Sequence, residues 1–246
     1  MENNKTVIRS HSHRVFKRTF LNEIRAEFHY PEIDFNNKIN EIKEFMSSAF
    51  SQDVNYTPNE NIDSIRIKAA DESLDFIFRR NYAKIKIKPE IYVSYPDTFK
   101  PCIDVVKRFV SSMGIATLEE ILISKTNLWR ASVENAYEVW RDALLSTFDD
   151  VNIRMISEVK LPEEKSLPLQ LTRQAISECM ETSVTMDFKV TIPNDNEFMF
   201  GLVINGLQNS VSTESIFECT EEINKNISDA FQTVVSDKIL DLMMEE

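Results

Sequence analysis

The residues best suited to acid–base chemistry lie close together near the amino terminus. Glu23, Arg25 and Glu27 alternate with largely apolar positions in a predicted strand, so their side chains are expected on one side of it. His29 follows at the same spacing. Two carboxylates beside a cation can act as a general acid and the group that tunes it, but exposed ion pairs produce the same pattern. An enzyme with a carboxylate-based site is therefore one hypothesis.

Other catalytic and metal-binding arrangements are missing from the sequence. The three glycines are too scattered to form a phosphate-binding loop, and neither a GxSxG nor an HExxH motif occurs. His11 and His13 fall in a predicted flexible tail, residues 1–13, far from His29 in the sequence. No cofactor or metal ion is expected, and the sequence favours a protein that binds rather than catalyses.

Five cations define a predicted basic face. Segments 65–69, 74–79 and 83–88 are predicted to form an antiparallel meander, because short alternating runs are separated by tight polar links. If the isoleucines of these strands point to the helices, the cations point the opposite way: Arg66, Lys68, Lys84, Lys86 and Lys88. Such a face, with Tyr82 and Arg79 at its margin, could bind single-stranded nucleic acid or a nucleotide. A solvated surface that discourages edge pairing is the alternative.

The carboxyl-terminal segment is predicted to be one long amphipathic helix from Ser212 to Glu246. Its apolar residues recur at steps of three, four or seven, which lays them along one side of a helix. The segment contains nine acidic residues and two lysines, a local balance of −7. Four of its acids form the predicted partner-binding site: Glu218, Glu221, Glu222 and Asp229. They could dock a basic partner, and a solvated helix face is the alternative.

The order of predicted elements is similar in two parts of the chain. Residues 14–116 are expected to form a strand, a helix, three strands and a helix. Residues 117–246 repeat this order, with a helix near 133–148 and the long acidic helix at the end. The predicted class is α+β, with antiparallel sheets covered by helices on one side. Two βαβββα-type halves would form a saddle that resembles TATA-binding-protein-like or helix-grip folds.

Composition sets the broad class of the protein. A chain of 246 residues with 42% hydrophobic residues can bury a substantial core. The three cysteines are far apart and odd in number, which is typical of reduced proteins without a disulfide framework. No apolar run of about 18 residues and no apolar leader is evident, so a cytoplasmic location without membrane contact is expected. The acidic pI of about 4.9 argues against general affinity for nucleic acid.

Three short motifs stand out along the chain. Residues 21–28 follow the pattern Leu-x-Glu-Ile-x-x-Glu-Phe, and residues 95–99 follow Tyr-x-x-x-Phe. Near the end, Phe231 precedes the Val-Ser-Asp-Lys-Ile-Leu run of residues 235–240. On these motifs the chain resembles a sporadically distributed family of uncharacterised bacterial proteins of similar length, although residues 125–128 depart from its Arg-Tyr-Ile-Asn pattern. The patchy distribution of that family resembles that of mobile-element or defence genes, and the resemblance implies such a setting.

These observations lead to three functional hypotheses. The first is a non-catalytic protein-interaction module of the antitoxin, immunity or adaptor type, which binds a basic protein surface through the acidic helix. A homodimer is a further option for the partner. The second is a sheet-face binder of single-stranded nucleic acid or a nucleotide, and the third is the carboxylate enzyme.

Overall fold

The structure is a computed structural model that describes residues 6–8, 20–50, 54–58, 64–69, 71–132, 158–160, 166–168, 170–177, 182–194, 197–235 and 237–244. These residues form twelve strands and four α-helices. The strands are β1 (Thr6–Ile8), β2 (Leu21–His29), β3 (Val54–Pro58), β4 (Ser64–Ala69), β5 (Leu74–Arg79), β6 (Tyr82–Ile87), β7 (Thr117–Ser132), β8 (Glu158–Lys160), β9 (Ser166–Pro168), β10 (Gln170–Ser177), β11 (Ser183–Asn194) and β12 (Glu197–Ser212). The helices are α1 (Ile39–Ala49), α2 (Lys100–Ser112), α3 (Ile216–Val234) and α4 (Asp237–Met244).

The chain divides into two compact units. The first unit comprises Glu23–Ser124 and Leu207–Asn224, and the second comprises Met1–Asn22, Lys125–Gly206 and Lys225–Glu246. These boundaries differ from the predicted division at residues 116 and 117. The reason is that β7 and β12 are each 16 residues long and contribute residues to both units.

Seven strands of the first unit form a sheet in the order β12, β7, β2, β6, β5, β4 and β3. The pairs from β2 through β6, β5 and β4 to β3 are antiparallel, which confirms the predicted meander. Ile24 lies opposite Ile87, and Ile85 lies opposite Phe76. The apolar positions of neighbouring strands therefore align on one face of the sheet.

Helices α1 and α2 cover that apolar face. Phe45 of α1 and Phe109 of α2 are buried, and their ring centroids lie 5.2 Å apart. The centroid of the Phe109 ring also lies 4.4 Å from the centroid of the Phe78 ring on β5. This aromatic contact joins both helices to the sheet and excludes water from its centre. The predicted α+β class, with helices packed on one side of an antiparallel sheet, is confirmed.

A one-turn π-helix, Tyr95–Phe99, leads directly into α2. The Ser94 hydroxyl caps it by accepting a hydrogen bond from the Asp97 backbone N–H at 3.2 Å. After α2, Gly114 has a φ of 78°, a left-handed conformation that glycine adopts without steric cost. The capped start and the glycine stop fix both ends of the helix that covers the sheet.

The described strands of the second unit are ordered β1, β10, β11, β12, β7 and β2, and β8 pairs separately with β9. Val184 and Met186 of β11 are buried, as alternation predicts. β1 runs parallel to β10, with Thr6 opposite Ala175. The predicted flexible tail is therefore corrected at Thr6–Ile8, where β-branched residues favour extended backbone. The predicted helix near 133–148 lies outside the described residues.

The carboxyl-terminal segment differs from the single helix predicted for it. Helix α3 begins only at Ile216, because β12 continues to Ser212 and the Thr213 hydroxyl donates to the Ile115 carbonyl at 2.8 Å. It ends at Val234, and α4 begins at Asp237. The sequence Thr-Val-Val at 233–235 explains the interruption, since β-branched residues lower helix propensity. Asp237 lies in the first turn of α4, where its negative charge interacts favourably with the positive end of the helix dipole.

Candidate functional site

The outer face of the first unit's sheet, defined as the face opposite α1 and α2, carries the predicted cations. Their neighbours Ile65, Ile67, Ile85 and Ile87 are all buried, as expected for residues that face the helices. Alternation therefore places Arg66 and Lys68 of β4, and Lys84 and Lys86 of β6, on the outer face. Lys88 follows β6 and is exposed.

These cations are paired with carboxylates rather than left open. The shortest nitrogen–oxygen distances are 2.7 Å for Arg66 to Asp75, 2.8 Å for Lys84 to Glu27, 3.3 Å for Lys68 to Glu72 and 3.5 Å for Lys86 to Glu23. Of the five predicted cations, only Lys88 has no salt bridge within the described part of the chain. The outer face is thus a network of alternating charges, and its positive potential is largely cancelled at short range.

Glu27 stands at the centre of this network. Besides Lys84, it has the Nε atom of Arg25 at 3.6 Å and Nε2 of His29 at 3.5 Å. Burial raises the pKa of the Glu27 carboxyl, but the hydrogen bond and charge of Lys84 and the charges of Arg25 and His29 outweigh it, so the pKa lies below its ordinary value. Glu27 is therefore an ionised partner of cations and not a general acid at neutral pH. Glu23 has a carboxylate oxygen 3.5 Å from the ammonium nitrogen of Lys86.

Four side chains form a row across one end of the outer face, which we call the terminal row: Glu120, His29, Tyr82 and Arg79. His29 lies opposite Tyr82 on the neighbouring strand, with ring centroids 5.7 Å apart. The guanidinium carbon of Arg79 lies 5.6 Å from the Tyr82 ring centroid. Glu120 of β7 has a carboxylate oxygen 3.9 Å from His29 Nε2. Sequence reasoning missed Glu120, because the pairing of β7 with β2 joins segments almost 100 positions apart and no local pattern reveals it.

The acidic surface of α3 is confined to the first half of the helix. Glu218 and Glu221 are exposed and Glu222 is half-buried, and no salt bridge joins them to a cation among the described residues. We call these three residues the acidic face. Asp229 is only 6% exposed, which corrects its prediction as a surface contact. It lies one helical turn after the buried Asn226, on the inward side of the helix.

The start of α3 is anchored to the α2 region through Phe217 and Tyr95. The ammonium groups of Lys107 and Lys100 lie 4.6 and 5.5 Å from the Phe217 ring centroid, within the range of cation–π attraction. The Tyr95 hydroxyl donates to the Phe217 carbonyl at 3.0 Å and lies 2.8 Å from the Thr220 hydroxyl. Burial raises the pKa of Tyr95 to about 12, so this hydroxyl keeps its proton. The acidic face is therefore held on a fixed support.

An apolar cleft of about 240 Å³ opens between the end of α1, the strands β4 and β5, and the start of α2. Its lining residues are Ala49, Phe50, Ile67, Ala69, Leu74, Phe76, Pro101, Cys102 and Val105. Burial raises the pKa of the Cys102 thiol to about 12, so it is neither a thiolate nor a nucleophile at neutral pH. The lining contains no charged side chain that would orient a polar ligand.

In the second unit, β7 carries a perturbed lysine. Desolvation lowers the pKa of the half-buried Lys125 to about 8, and Asn127 two positions later is buried. Within the described ranges, no three histidine, cysteine or carboxylate side chains are arranged to hold a metal ion. Among the described helices, none is both long and apolar enough to cross a membrane.

Comparison with known proteins gives distant structural likenesses. No family model matches the chain, and no curated protein matches it. One similar structure is a rolling circle replication initiator protein from Geobacillus stearothermophilus, with 7% identity, a TM-score of 0.28, and coverage of 81% of this chain and 78% of that one. Another is the di-domain ARO/CYC StfQ from the steffimycin biosynthetic pathway, with 7% identity, a TM-score of 0.23, and coverage of 86% and 97%. Both TM-scores are too low to support a functional argument.

Proposed function

We propose that this protein is a non-catalytic interaction module that binds a basic protein surface through the acidic face of α3. The observation that carries the proposal is a contrast between two charged surfaces. Four of the five predicted cations of the outer face have carboxylate partners within 3.5 Å. Glu218, Glu221 and Glu222 have no such partner within the described residues. Charges that are not satisfied internally are the ones available for a partner.

The support of these carboxylates favours a preformed surface. On the opposite side of α3, Ile216, Thr220 and Ile223 are completely buried. The Tyr95 hydroxyl holds the first turn through its contacts with Phe217 and Thr220. The Lys107 ammonium holds the segment just before the helix, with a 3.0 Å hydrogen bond to the Glu214 carbonyl. A rigid element loses little conformational entropy when a partner binds. Beside the carboxylates, the half-buried Phe217 offers an apolar contact.

The same contrast makes the predicted cationic face a weaker candidate for nucleic acid. A phosphate that bound Arg66 or Lys84 would compete with carboxylates already 2.7 and 2.8 Å away. Asp75 is 7% exposed, so loss of its arginine would leave a nearly buried charge without its closest cation. The pairs therefore stabilise the sheet rather than present positive charge to a ligand.

The biological setting we propose is a bacterial conflict or defence system, in which the module acts as an antitoxin, immunity or adaptor subunit. This part rests only on the motif resemblance of residues 21–28, 95–99 and 231–240. It predicts that expression of the protein protects cells from the product of a neighbouring gene. Protection that fails for every neighbouring gene would remove the setting but not the interaction surface.

The interaction itself is tested by site-specific photo-crosslinking followed by binding measurements. A photoreactive amino acid at Glu218 should capture a protein in cells of the source organism, whereas the same amino acid at Glu44, exposed on α1, should not. The captured protein is then purified and titrated against the variant with Glu218→Lys, Glu221→Lys and Glu222→Lys. We expect this variant to raise the Kd by at least about tenfold, and the increase should be larger at low salt because fewer ions screen the charges.

A matched control changes the same net charge elsewhere. Glu44, Glu90 and Glu119 are exposed carboxylates that do not belong to the acidic face, and their combined change to lysine should leave Kd within about twofold. Equal weakening by both triple variants would mean that only net charge matters. Unchanged binding by the acidic-face variant would reject the docking surface.

A further inference from the structure

Among the described residues of the outer face, Arg79 in the terminal row is the one arginine that is held in place without a carboxylate. Within the described residues, Arg25 and Arg66 contact Glu27 and Asp75, whereas the guanidinium of Arg79 contacts only the Tyr82 ring. An arginine that stacks on an aromatic ring loses little conformational freedom when it binds an anion. The planar fork of its N–H groups matches a phosphate or a carboxylate. Arg79 is exposed, so an anion can reach it.

Glu120, at the other end of the terminal row from Arg79, is a negatively charged hydrogen-bond acceptor. Glu120 contacts only the imidazole of His29, at 3.9 Å, among the described side chains. Its side chain is 34% exposed, and its carboxylate can accept hydrogen bonds from a ligand. Glu27, 3.5 Å from the same imidazole nitrogen, is already held by Lys84. The terminal row therefore offers an anion-binding group at one end and a hydrogen-bond acceptor at the other.

The spacing of the strands sets the size of a ligand that touches both ends. His29, Tyr82 and Arg79 lie on three adjacent strands in the order β2, β6 and β5, with His29 opposite Tyr82 and Phe78 opposite Ala83. Glu120 lies on β7, one strand further, so the row from Glu120 to Arg79 crosses three steps between strands and spans about 14 Å. Hydrogen bonds of about 3 Å at each end shorten this span, so a ligand must carry an anionic group and an amino group that are about 8 Å apart. Between them, the Tyr82 ring and the His29 ring offer a surface for a flat group.

We propose that the terminal row is a binding site for a purine nucleoside monophosphate that bears an exocyclic amine. Its phosphate binds Arg79, its base lies along Tyr82 and His29, and its amine donates to Glu120. This site goes beyond the protein-interaction function, since it uses different residues on a different surface. The terminal row lies at the margin of the predicted cationic face, and four of the five cations of that face are engaged by neighbouring carboxylates.

The probe is adenosine 5′-monophosphate, titrated into the full chain at low salt by calorimetry. We expect saturable binding with a Kd between about 10 µM and 1 mM, as befits an open site with few contacts. Arg79→Gln should weaken binding at least about tenfold, because it removes the charged contact with the phosphate. Glu120→Gln should weaken it by about threefold to tenfold.

Two related compounds separate the two ends of the site. Adenosine lacks the phosphate and should bind Arg79→Gln and the unmodified protein equally weakly. Inosine 5′-monophosphate has a carbonyl in place of the amine and should bind about threefold to tenfold more weakly than the adenosine compound, with no further loss in Glu120→Gln.

Arg108→Gln serves as the control variant, because Arg108 is an exposed arginine on α2 that pairs with Asp104 at 3.0 Å. It should leave the Kd unchanged, and thermal unfolding should show that all variants remain folded. No saturable binding up to about 10 mM, or equal affinity of Arg79→Gln and the unmodified protein, would overturn the proposal. Neither outcome affects the acidic face, whose test uses other residues.

Discussion

The ammonium nitrogen of Lys84 lies 2.8 Å from a carboxylate oxygen of Glu27, across the pair of strands β6 and β2. Both side chains are largely shielded from solvent, with exposed fractions of 18% and 19%. A charge-assisted hydrogen bond with this shielding is stronger than an exposed ion pair, and it is also more costly to break on one side only.

Replacing Lys84 by methionine should therefore destabilise the fold. We expect the free energy of unfolding to fall by on the order of 1–3 kcal/mol at pH 7, because Glu27 would lose its closest cation. Urea denaturation measures the change. Lys43→Met on the exposed side of α1 is the control and should change stability by less than about 0.5 kcal/mol. Equal effects of the two substitutions would show that the Lys84 contact adds nothing to stability.

The lowered pKa of Glu27 predicts how the stability of the fold changes at acidic pH. A carboxyl whose pKa is lower in the folded state stabilises the fold above its unfolded-state pKa, and this contribution is lost as the pH falls through the folded-state pKa. Stability of the unmodified protein should therefore decline more steeply between about pH 5 and pH 3 than that of Glu27→Gln. Denaturant titrations across this range test the difference, and parallel curves would contradict it.

Alternation along the strands was sufficient to predict which residues face the helices. Ile65, Ile67, Ile85 and Ile87 are buried because side chains of a strand alternate between two faces and antiparallel neighbours keep their apolar faces aligned. Alternation did not reveal that the cations between them are paired. The Lys84 partner Glu27 lies 57 positions earlier, and only the register of β2 against β6 brings the two together.

Helical spacing had a similar limit in the carboxyl-terminal segment. It predicted the buried stripe through Ile216, Ile223 and Ile227, because these positions recur on one side of a helix. It did not predict that Asp229 would also be buried. The width of the covered side depends on which elements pack against the helix, and this is a tertiary property that periodicity does not contain.

The core of the first unit should be most sensitive at Phe109. Its ring packs against Tyr30, Phe35, Phe45 and Phe78, with centroids 4.4–6.4 Å away. Phe109→Ala should lower the free energy of unfolding by about 3–5 kcal/mol, because it removes buried apolar area and leaves a cavity. Val93→Ala, at a position 77% exposed, should cost less than about 0.5 kcal/mol. Denaturant unfolding compares the two, and a loss below about 1 kcal/mol at Phe109 would contradict the packing.

The link between the π-helical turn and α3 is tested by Tyr95→Phe. This substitution keeps the ring and removes only the hydroxyl that contacts the Phe217 carbonyl and the Thr220 side chain. We expect a loss of about 1–2 kcal/mol and faster hydrogen exchange of the amides in the first turns of α3. Exchange that is unchanged in those turns would mean that the hydroxyl does not anchor the helix.

Lys125 should destabilise the fold at neutral pH. Its pKa falls to about 8 in the folded state, below the ordinary 10.5, so the folded protein binds fewer protons than the unfolded chain between these values. Stability must then rise with pH over that window, and the penalty is fully present below about pH 8. Lys125→Met removes the titrating group, so the variant should lose most of the rise in stability between about pH 8 and pH 10. Lys225→Met, at an exposed lysine of α3, should retain the rise in full, and equal slopes in the two variants would contradict the assignment to Lys125.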